Sequence, residues 1–322
     1  MKCDPRQLLL TASLPLDLTL RQPPTPQEEA FKILKKALET GANFWNAGQI
    51  YGPKGATSLE LLKAYFTKYP EDKDKVVISV KSCFDFANYK MHCDAASVKQ
   101  YMDNCLAIAD GKYTIDVFEP ARIDPNVPVE ETIGAIAEYV KAGKIGGIGL
   151  SEVNADIIQK AVKVHPIAAV EVELSMFSTE VLENGTAKAC KDHNIPLVAY
   201  SPLSRGFLTG GLRKYEDMDE NDYRRRYPRF SKENFGKNVE LVEKVEEVAK
   251  KHGYTVPQVA IGWVSSLNNG PDTGVVIPIP GATGVPRAEE NSKAVKMSDA
   301  ELKDINELVK SLSAVGGRYP GH

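Results

Sequence analysis

Short runs of apolar, mostly β-branched residues alternate with amphipathic helical segments along most of the chain. This alternation is typical of βαβ units that build a parallel sheet, and it disfavours an all-β sandwich. Eight strands with intervening helices are the number needed to close a barrel, so the sequence predicts an α/β fold of the (β/α)8 TIM barrel class. The eight runs lie at residues 14–20, 43–46, 76–81, 114–119, 146–151, 167–172, 196–201 and 274–279.

The length and composition of the chain agree with one large domain. Barrels of this class commonly span about 250 residues or more as a single unit, and no linker-like segment interrupts the 322 residues, so we expect a single domain over residues 1–322. The 40 basic and 43 acidic residues nearly cancel, which argues against a nucleic-acid-binding surface. A small-molecule partner fits this composition better.

The sequence contains no segment that is apolar enough to span a membrane, and charged residues flank the short apolar run at residues 8–10. We therefore expect a cytoplasmic protein without membrane contact. The five cysteines lack metal-ligand spacing and are expected to be reduced thiols, with no metal site. The sequence does not determine the oligomeric state.

Local signals mark one helix clearly and leave one loop open to two interpretations. Thr25, Pro26 and Glu28 form a helix-start pattern, and Gly41 occupies the position of a left-handed helix end. The stretch 212–237 is long and polar, and it precedes a helix predicted over 239–251. It is either a solvated loop or a flap over cofactor or substrate, because loops after barrel strands form the active face.

Several motifs near predicted strand ends occur in one particular order. No GxGxxG follows the early strands, so a doubly wound dinucleotide site is not indicated. Instead, FWNAGQIYG carries Asn46 and Tyr51, VISVK ends at Lys81, and GIGLSE contains Ser151. Taken singly, a tyrosine before glycine is usually a packed turn and a strand-terminal lysine is usually solvated. Their joint occurrence in order resembles the aldo-keto reductases.

This resemblance implies roles for a defined set of residues. Tyr51 would donate a proton to a carbonyl, and Lys81 would lower the pKa of that tyrosine. Tyr200 would stack on the nicotinamide ring of the cofactor. The guanidinium of Arg287 suits a 2′-phosphate, which favours NADPH as the cofactor. The positions matching the family's cofactor contacts are Ser151, Glu171, Tyr200, Ser201, Leu203, Ser204, Thr283, Arg287, Glu290 and Asn291.

The chain departs from the family pattern at several of these places. Asn46 occupies the slot of a catalytic aspartate, where it can still hydrogen-bond Lys81 but no longer supplies a negative charge. Ala121 aligns with the catalytic histidine, and Arg122 could replace that donor if the strand end turns it inward. Glu171 replaces the usual carboxamide-binding glutamine. The first strand lacks the family's glycines.

FWNAGQIYG, FEPARID and the ending GGRYPGH resemble the fungal pyridoxal reductases, a branch of the family. This resemblance implies NADPH-dependent reduction of pyridoxal to pyridoxine. Two alternatives stay open: a general aldehyde or ketone reductase, and a non-catalytic NADPH-binding subunit, since two of the four catalytic positions are replaced.

Overall fold

Eight parallel strands follow one another around one sheet in the order in which they occur in the chain. A computed structural model describes residues 14–15, 18, 24–85, 88–293 and 295–320. The strands of the sheet are β1 (Leu14–Pro15), β2 (Phe44–Gly48), β3 (Val77–Ser82), β6 (Val117–Pro120), β7 (Gly147–Ser151), β8 (Ile167–Glu173), β9 (Leu197–Tyr200) and β10 (Val276–Ile279). Strands β4 (Phe84–Asp85) and β5 (Lys90–Met91) form a separate antiparallel hairpin.

Helices connect the strands and cover the outside of the sheet. They are α1 (Gln27–Glu39), α2 (Ser58–Lys68), α3 (Ala95–Ala109), α4 (Val129–Lys141), α5 (Ala155–Val164), α6 (Glu180–Glu183), α7 (Thr186–Asp192), α8 (Lys232–His252), α9 (Val256–Ser266), α10 (Val285–Ser292) and α11 (Asp299–Ser311). This strand order with helical crossovers is the (β/α)8 barrel, as the sequence predicted. No helix in the described ranges is long and apolar enough to cross a bilayer.

Strand β2 shows how the alternation of side chains fills the barrel. Trp45 points outward and packs against Tyr65 and Phe66 of α2, with ring centroids 5.4 and 5.9 Å away. Phe44 belongs to a separate interior cluster with residues of β8, β9 and β10. Because side chains alternate along a strand, Asn46 and Gly48 lie on the same inner side as Phe44. Strand β2 therefore places the Asn46 side chain inside the barrel, near the face where the carboxyl ends of the strands lie.

The structure corrects two local predictions and confirms a third. Of the run predicted as the first strand, only Leu14–Pro15 is a strand among the described residues, and Leu18 is a buried residue with helical conformation. Helix α1 starts at Gln27 with Pro26 as its N-cap and no side-chain cap, so Thr25 does not play that role. The left-handed conformation of Gly41 is confirmed, with φ of 85°.

Helix α8 begins seven residues earlier than expected, at Lys232. The hydroxyl of Ser231 accepts a hydrogen bond from the Asn234 N–H and caps the helix. Residues 212–231 therefore form the loop, which contains three short 3-10 turns at Tyr215–Asp217, Tyr223–Arg226 and Pro228–Phe230.

The cysteines in the described ranges are buried and form no disulfide. These are Cys83, Cys93, Cys105 and Cys190; Cys3 lies outside the described residues. Burial raises the thiol pKa of Cys190 to about 12, so this thiol stays protonated at neutral pH and is a poor nucleophile. Within the described ranges, no cluster of three His, Cys, Asp or Glu side chains could hold a metal ion.

Candidate active site

Tyr51 lies in the tight loop that follows β2, at the carboxyl-end face of the barrel. Its backbone N–H donates to the Gly48 carbonyl at 3.0 Å, and its own carbonyl accepts from the Ser58 N–H at 2.9 Å. The Ser58 hydroxyl bonds both the N–H and the carbonyl of Gly48, at 2.9 and 3.0 Å. The start of α2 thereby fixes the loop that carries Tyr51.

Lys81 is buried beside this loop. In the β2–β3 register it is the partner of Gly48, and its carbonyl accepts from the Gln49 N–H at 2.9 Å. Its ammonium donates to Glu171 Oε1 at 2.6 Å and lies 3.8 Å from Glu119 Oε1. Burial alone would lower the pKa of Lys81, but the charges of Glu171, Tyr51 and Glu119 raise it above its ordinary value. The lysine is therefore a permanent cation in the site.

The phenol of Tyr51 is surrounded by charges of both signs. Burial of the hydroxyl is the largest influence and raises its pKa, and Glu171 and Glu119 add to this rise. Lys81 and Arg122 lower it. The residue as a whole keeps partial solvent exposure, while its hydroxyl end is enclosed. Lys81 is the stronger of the two cations that favour loss of the phenolic proton.

Asn46 takes a different role from the one expected. The sequence allowed a hydrogen bond from the Lys81 ammonium to its amide oxygen, but the structure shows its Nδ2 donating to Glu171 Oε2 at 2.5 Å and to Glu119 Oε1 at 3.4 Å. The Oδ1 atom of Asn46 is buried and has no hydrogen-bond partner in the described part of the chain. Asn46 thus contacts the two carboxyl groups that surround the ammonium, and these groups come from glutamates on other strands.

Arg122 turns toward the mouth of the barrel. Its NH1 donates to the Ala121 carbonyl at 2.6 Å and to Ser151 Oγ at 3.4 Å, and its NH2 donates to the Tyr319 hydroxyl at 3.2 Å. The neighbouring Ala121 is buried. The guanidinium therefore lies between the end of β7 and Tyr319, and its charge lowers the pKa of Tyr51.

A row of expected cofactor contacts follows β9. Tyr200 ends the strand, with its ring centroid 5.6 Å from Lys81 Nζ. Ser201 and Ser204 both adopt left-handed backbone conformations, with φ of 53° and 49°, and Leu203 between them is buried. The Ser204 hydroxyl donates to Ser175 Oγ at 3.0 Å. This tightly turned backbone directly follows the strand that carries the ring of Tyr200.

The second group of expected cofactor contacts clusters at α10. Thr283 is exposed just before the helix, and the Arg287 NH1 donates to Glu290 Oε2 at 2.8 Å. The Asn291 Nδ2 donates to the Gly281 carbonyl at 3.0 Å, whereas its Oδ1 is buried and unpartnered among the described residues. These side chains lie together beyond β10, which pairs with β9.

Glu171, expected to hold the carboxamide of the cofactor, binds Lys81 and Asn46 in the structure. Both of its carboxylate oxygens are engaged, Oε1 by Lys81 and Oε2 by Asn46. Ser151, the other residue expected at the carboxamide, ends β7 and is opposite Glu171 in the β7–β8 register. Its hydroxyl contacts Arg122.

The sequence did not assign a role to the C-terminal residues that reach this site. The Tyr319 hydroxyl lies 2.5 Å from the Tyr200 hydroxyl. Arg318 binds Glu152 at 3.1 Å and Glu173 at 3.3 Å, at the ends of β7 and β8. Arg205 also binds Glu173, at 2.9 Å, and donates to the Arg318 carbonyl. The motif GGRYPGH was visible in the sequence, but nothing in it indicated which strand ends it contacts.

The loop over residues 212–231 packs on this same C-terminal segment. Tyr227 lies 5.9 Å from the Tyr319 ring and under the guanidinium of Arg205, at 4.6 Å. Arg229 donates to the Gly316 carbonyl at 3.1 Å. The loop is therefore anchored at the barrel mouth, the position that the flap interpretation requires.

The residues present fit a nicotinamide dinucleotide. The buried Asn291 Oδ1 has no donor within the described ranges and suits an amino group such as that of adenine, while Arg287 offers a guanidinium at the same end. Tyr200 and Ser151 lie at the other end, near Lys81 and Arg122. Tyr200 ends β9, and the α10 residues follow β10, which is the neighbouring strand.

Comparison with known sequences places the chain among the aldo/keto reductases. The Aldo/keto reductase family matches over residues 17–310. The "Probable pyridoxal reductase 2" of Schizosaccharomyces pombe is 38% identical over 94% of this chain and 92% of its own. The "Putative pyridoxal reductase" of Saccharomyces cerevisiae is 36% identical and covers 94% of both chains. An S. pombe aldo-keto reductase whose name specifies NADP(+) is 36% identical over 92% of this chain and 87% of its own.

Among solved structures, a glycerol dehydrogenase from Gluconobacter oxydans superposes with a TM-score of 0.80. It is 22% identical and covers 97% of this chain and 94% of its own. At this identity the likeness concerns the fold alone.

Proposed function

The chain belongs to the aldo/keto reductase family, and on that premise we propose that it reduces pyridoxal to pyridoxine with NADPH, with Tyr51 as proton donor. The observation that supports this most is the buried Lys81 ammonium, held by Glu171 at 2.6 Å and acting on the enclosed phenol of Tyr51. The proposal treats residues 1–322 as one catalytic domain.

Reduction of an aldehyde needs a hydride at carbon and a proton at oxygen. Bound NADPH supplies the hydride. The Tyr51 O–H donates its proton to the carbonyl oxygen, and the tyrosinate that remains is stabilised by the adjacent Lys81 ammonium. Because burial raises the pKa of Tyr51, this neighbouring cation is needed for the phenol to release its proton.

Arg122 is proposed as the second donor to the substrate, in place of a histidine. Its guanidinium lies by Ser151 and acts electrostatically on Tyr51, so it borders the same space. A guanidinium is charged at any physiological pH, so it can orient the carbonyl but cannot deliver a proton. Tyr51 is then the only proton donor in this mechanism.

NADPH is preferred over NADH in this proposal because of Arg287. Its side chain keeps 43% exposure on α10, so the guanidinium is accessible to a 2′-phosphate.

Pyridoxal as substrate is supported by the names of two relatives at 36% and 38% identity. A general aldehyde or ketone reductase is the alternative within the same chemistry.

The experiment is incubation of the purified protein with NADPH and pyridoxal, with chromatographic detection of pyridoxine, beside a panel of simple aldehydes and ketones. We expect the highest kcat/KM for pyridoxal. Comparable values for simple aldehydes would favour a general reductase. Tight NADPH binding without turnover of any carbonyl would favour a non-catalytic cofactor-binding subunit.

A further inference from the structure

Two glutamates from different strands meet beside one lysine inside the barrel. Glu119 on β6 is the register partner of Lys81 on β3, and Glu171 reaches the same ammonium from β8. Both glutamates are at most 2% exposed, and Lys81 is 5% exposed. A single cation therefore faces two carboxyl groups in a space from which bulk water is excluded.

The sequence makes room for this second carboxyl group. Gly149 on β7 faces Glu119, and a Cβ atom there would lie 3.0 Å from Glu119 Cβ and 3.2 Å from its Oε2. The same atom would approach Val117 Cγ1 to 2.9 Å. Glycine at position 149 thus leaves the space that the buried side chain of Glu119 occupies.

The distances distinguish the two glutamates. Glu171 has two close donors, Lys81 at 2.6 Å and Asn46 at 2.5 Å. The same two donors lie 3.8 and 3.4 Å from Glu119. Two buried carboxylates beside one cation would leave an uncompensated negative charge, which is costly in a low-dielectric interior. The proton therefore belongs on Glu119, because both donors are farther from its carboxyl group than from that of Glu171.

We propose that Glu119 and Glu171 share one proton, with Glu171 ionised and Glu119 neutral, and that this pair is the carboxylate partner that positions Lys81 beside Tyr51. Glu119 in its acid form donates a hydrogen bond to Glu171, which accepts from Lys81 and Asn46 as well. Burial and the charge of Glu171 raise the pKa of Glu119 well above its ordinary value, in agreement with this arrangement.

The shared proton matters for the tyrosine. The charged and titratable groups that act on Tyr51 come from β3, β6, β8 and the turn after β6: Lys81, Glu119, Glu171 and Arg122. Each ionised glutamate raises the pKa of Tyr51 and opposes the two cations. A neutral Glu119 removes one of these unfavourable charges and leaves a single carboxylate to hold the ammonium. Both glutamates are positioning residues that act through Lys81.

The first test reads the proton directly and does not depend on turnover. At pH 8, above the value of about 6 to which burial raises the pKa of Asp116, infrared difference spectra compare the wild type with Glu119→Gln and Glu171→Gln. We expect a protonated-carboxyl C=O band that both substitutions remove, because Glu119 ionises once it is the only partner of Lys81. Absence of the band in the wild type, or its survival in Glu119→Gln, would overturn the proposal.

The second test uses steady-state kinetics and rests on the function proposed above. Glu119→Gln keeps a neutral donor next to Glu171 and should lower kcat by only about threefold, whereas Glu171→Gln should lower it about tenfold. The double variant leaves the ammonium without a carboxylate, so its kcat should fall about 100-fold or more. A double variant that equals the product of the single effects would contradict proton sharing. A wild type without reductase activity would refute the proposed function and leave the infrared result intact.

Discussion

The ring of Tyr51 packs directly over Gly48: a Cβ atom built on Gly48 would lie 2.9 Å from Tyr51 Cγ and 3.1 Å from Cδ1. Gly48→Ala should therefore push the ring out of place. We expect kcat to fall about 10- to 100-fold, because small misplacements of a catalytic group are costly. Steady-state kinetics with the purified variant measure this change.

The control for this substitution is Gly134→Ala in α4, where nothing lies within 4 Å of the added Cβ. Alanine in a helix interior is favoured over glycine by about 0.5–1 kcal/mol, so this variant should be slightly more stable and fully active. An unchanged kcat in Gly48→Ala would show that the position of the ring does not limit turnover.

Arg287→Ala tests the choice of cofactor. Loss of a guanidinium that hydrogen-bonds a 2′-phosphate should weaken NADPH binding about 10- to 100-fold and leave NADH binding unchanged. Fluorescence titration with both cofactors measures the two affinities. Lys293→Ala, which removes an exposed cation just beyond the same helix, is the control. Equal losses for NADPH and NADH would exclude Arg287 as the phosphate contact.

Arg318→Ala tests the attachment of the C-terminal segment. The substitution leaves the buried carboxylate of Glu173 and the partly buried carboxylate of Glu152 without one of their cations, and we expect the free energy of unfolding to fall by about 1–3 kcal/mol. Urea unfolding measures the change. The exposed Arg213–Glu246 pair is the control, and Arg213→Ala should cost less than about 1 kcal/mol. If Arg318→Ala lowered the free energy of unfolding as little as Arg213→Ala does, the C-terminal segment would be only loosely attached.

The carboxyl group of Asp116 should make the free energy of unfolding depend on pH. Burial raises its pKa to about 6 in the folded protein, from an ordinary value of 3.8, although its carboxylate accepts from the Ile78 N–H at 2.8 Å. A raised carboxyl pKa means that the folded state holds the proton more tightly. The stabilising contribution is therefore full below about pH 4 and is lost as the pH rises to about 6.

The matching experiment compares the wild type with Asp116→Asn by urea unfolding between pH 4 and pH 8. The difference in free energy of unfolding, wild type minus variant, should fall by about 1–3 kcal/mol between pH 4 and pH 6 and then stay flat. Asp272→Asn, at an exposed position, should show no such change. A flat difference for Asp116→Asn would contradict the raised pKa.

The positions that the sequence predicted best are those at strand ends. Tyr51 and Lys81 lie next to each other in the fold because β2 and β3 are adjacent parallel strands whose carboxyl ends meet. Alternation along each strand predicts which side chains point inward. Both patterns involve only residues close together in the chain, so they can be recognised in a single sequence.

Contacts between distant parts of the chain were beyond prediction. Glu171 is 90 residues from Lys81, and Tyr319 is 119 residues from Tyr200. No periodicity links such positions, and an inward-facing glutamate has several possible partners inside a barrel. The start of α8 was misjudged for a different reason, since its first turn is polar and Ser231 was not recognised as its cap.

The most direct test of the account is NADPH oxidation with pyridoxal by the wild type and by Tyr51→Phe, with Tyr139→Phe, which removes a hydroxyl of α4 bonded to Asp103 of α3, as the control. We predict that Tyr51→Phe lowers kcat about 1,000-fold while NADPH affinity stays within about threefold, because only the proton donor is lost. Turnover by Tyr51→Phe at the rate of the wild type would contradict the assignment of Tyr51 as the proton donor.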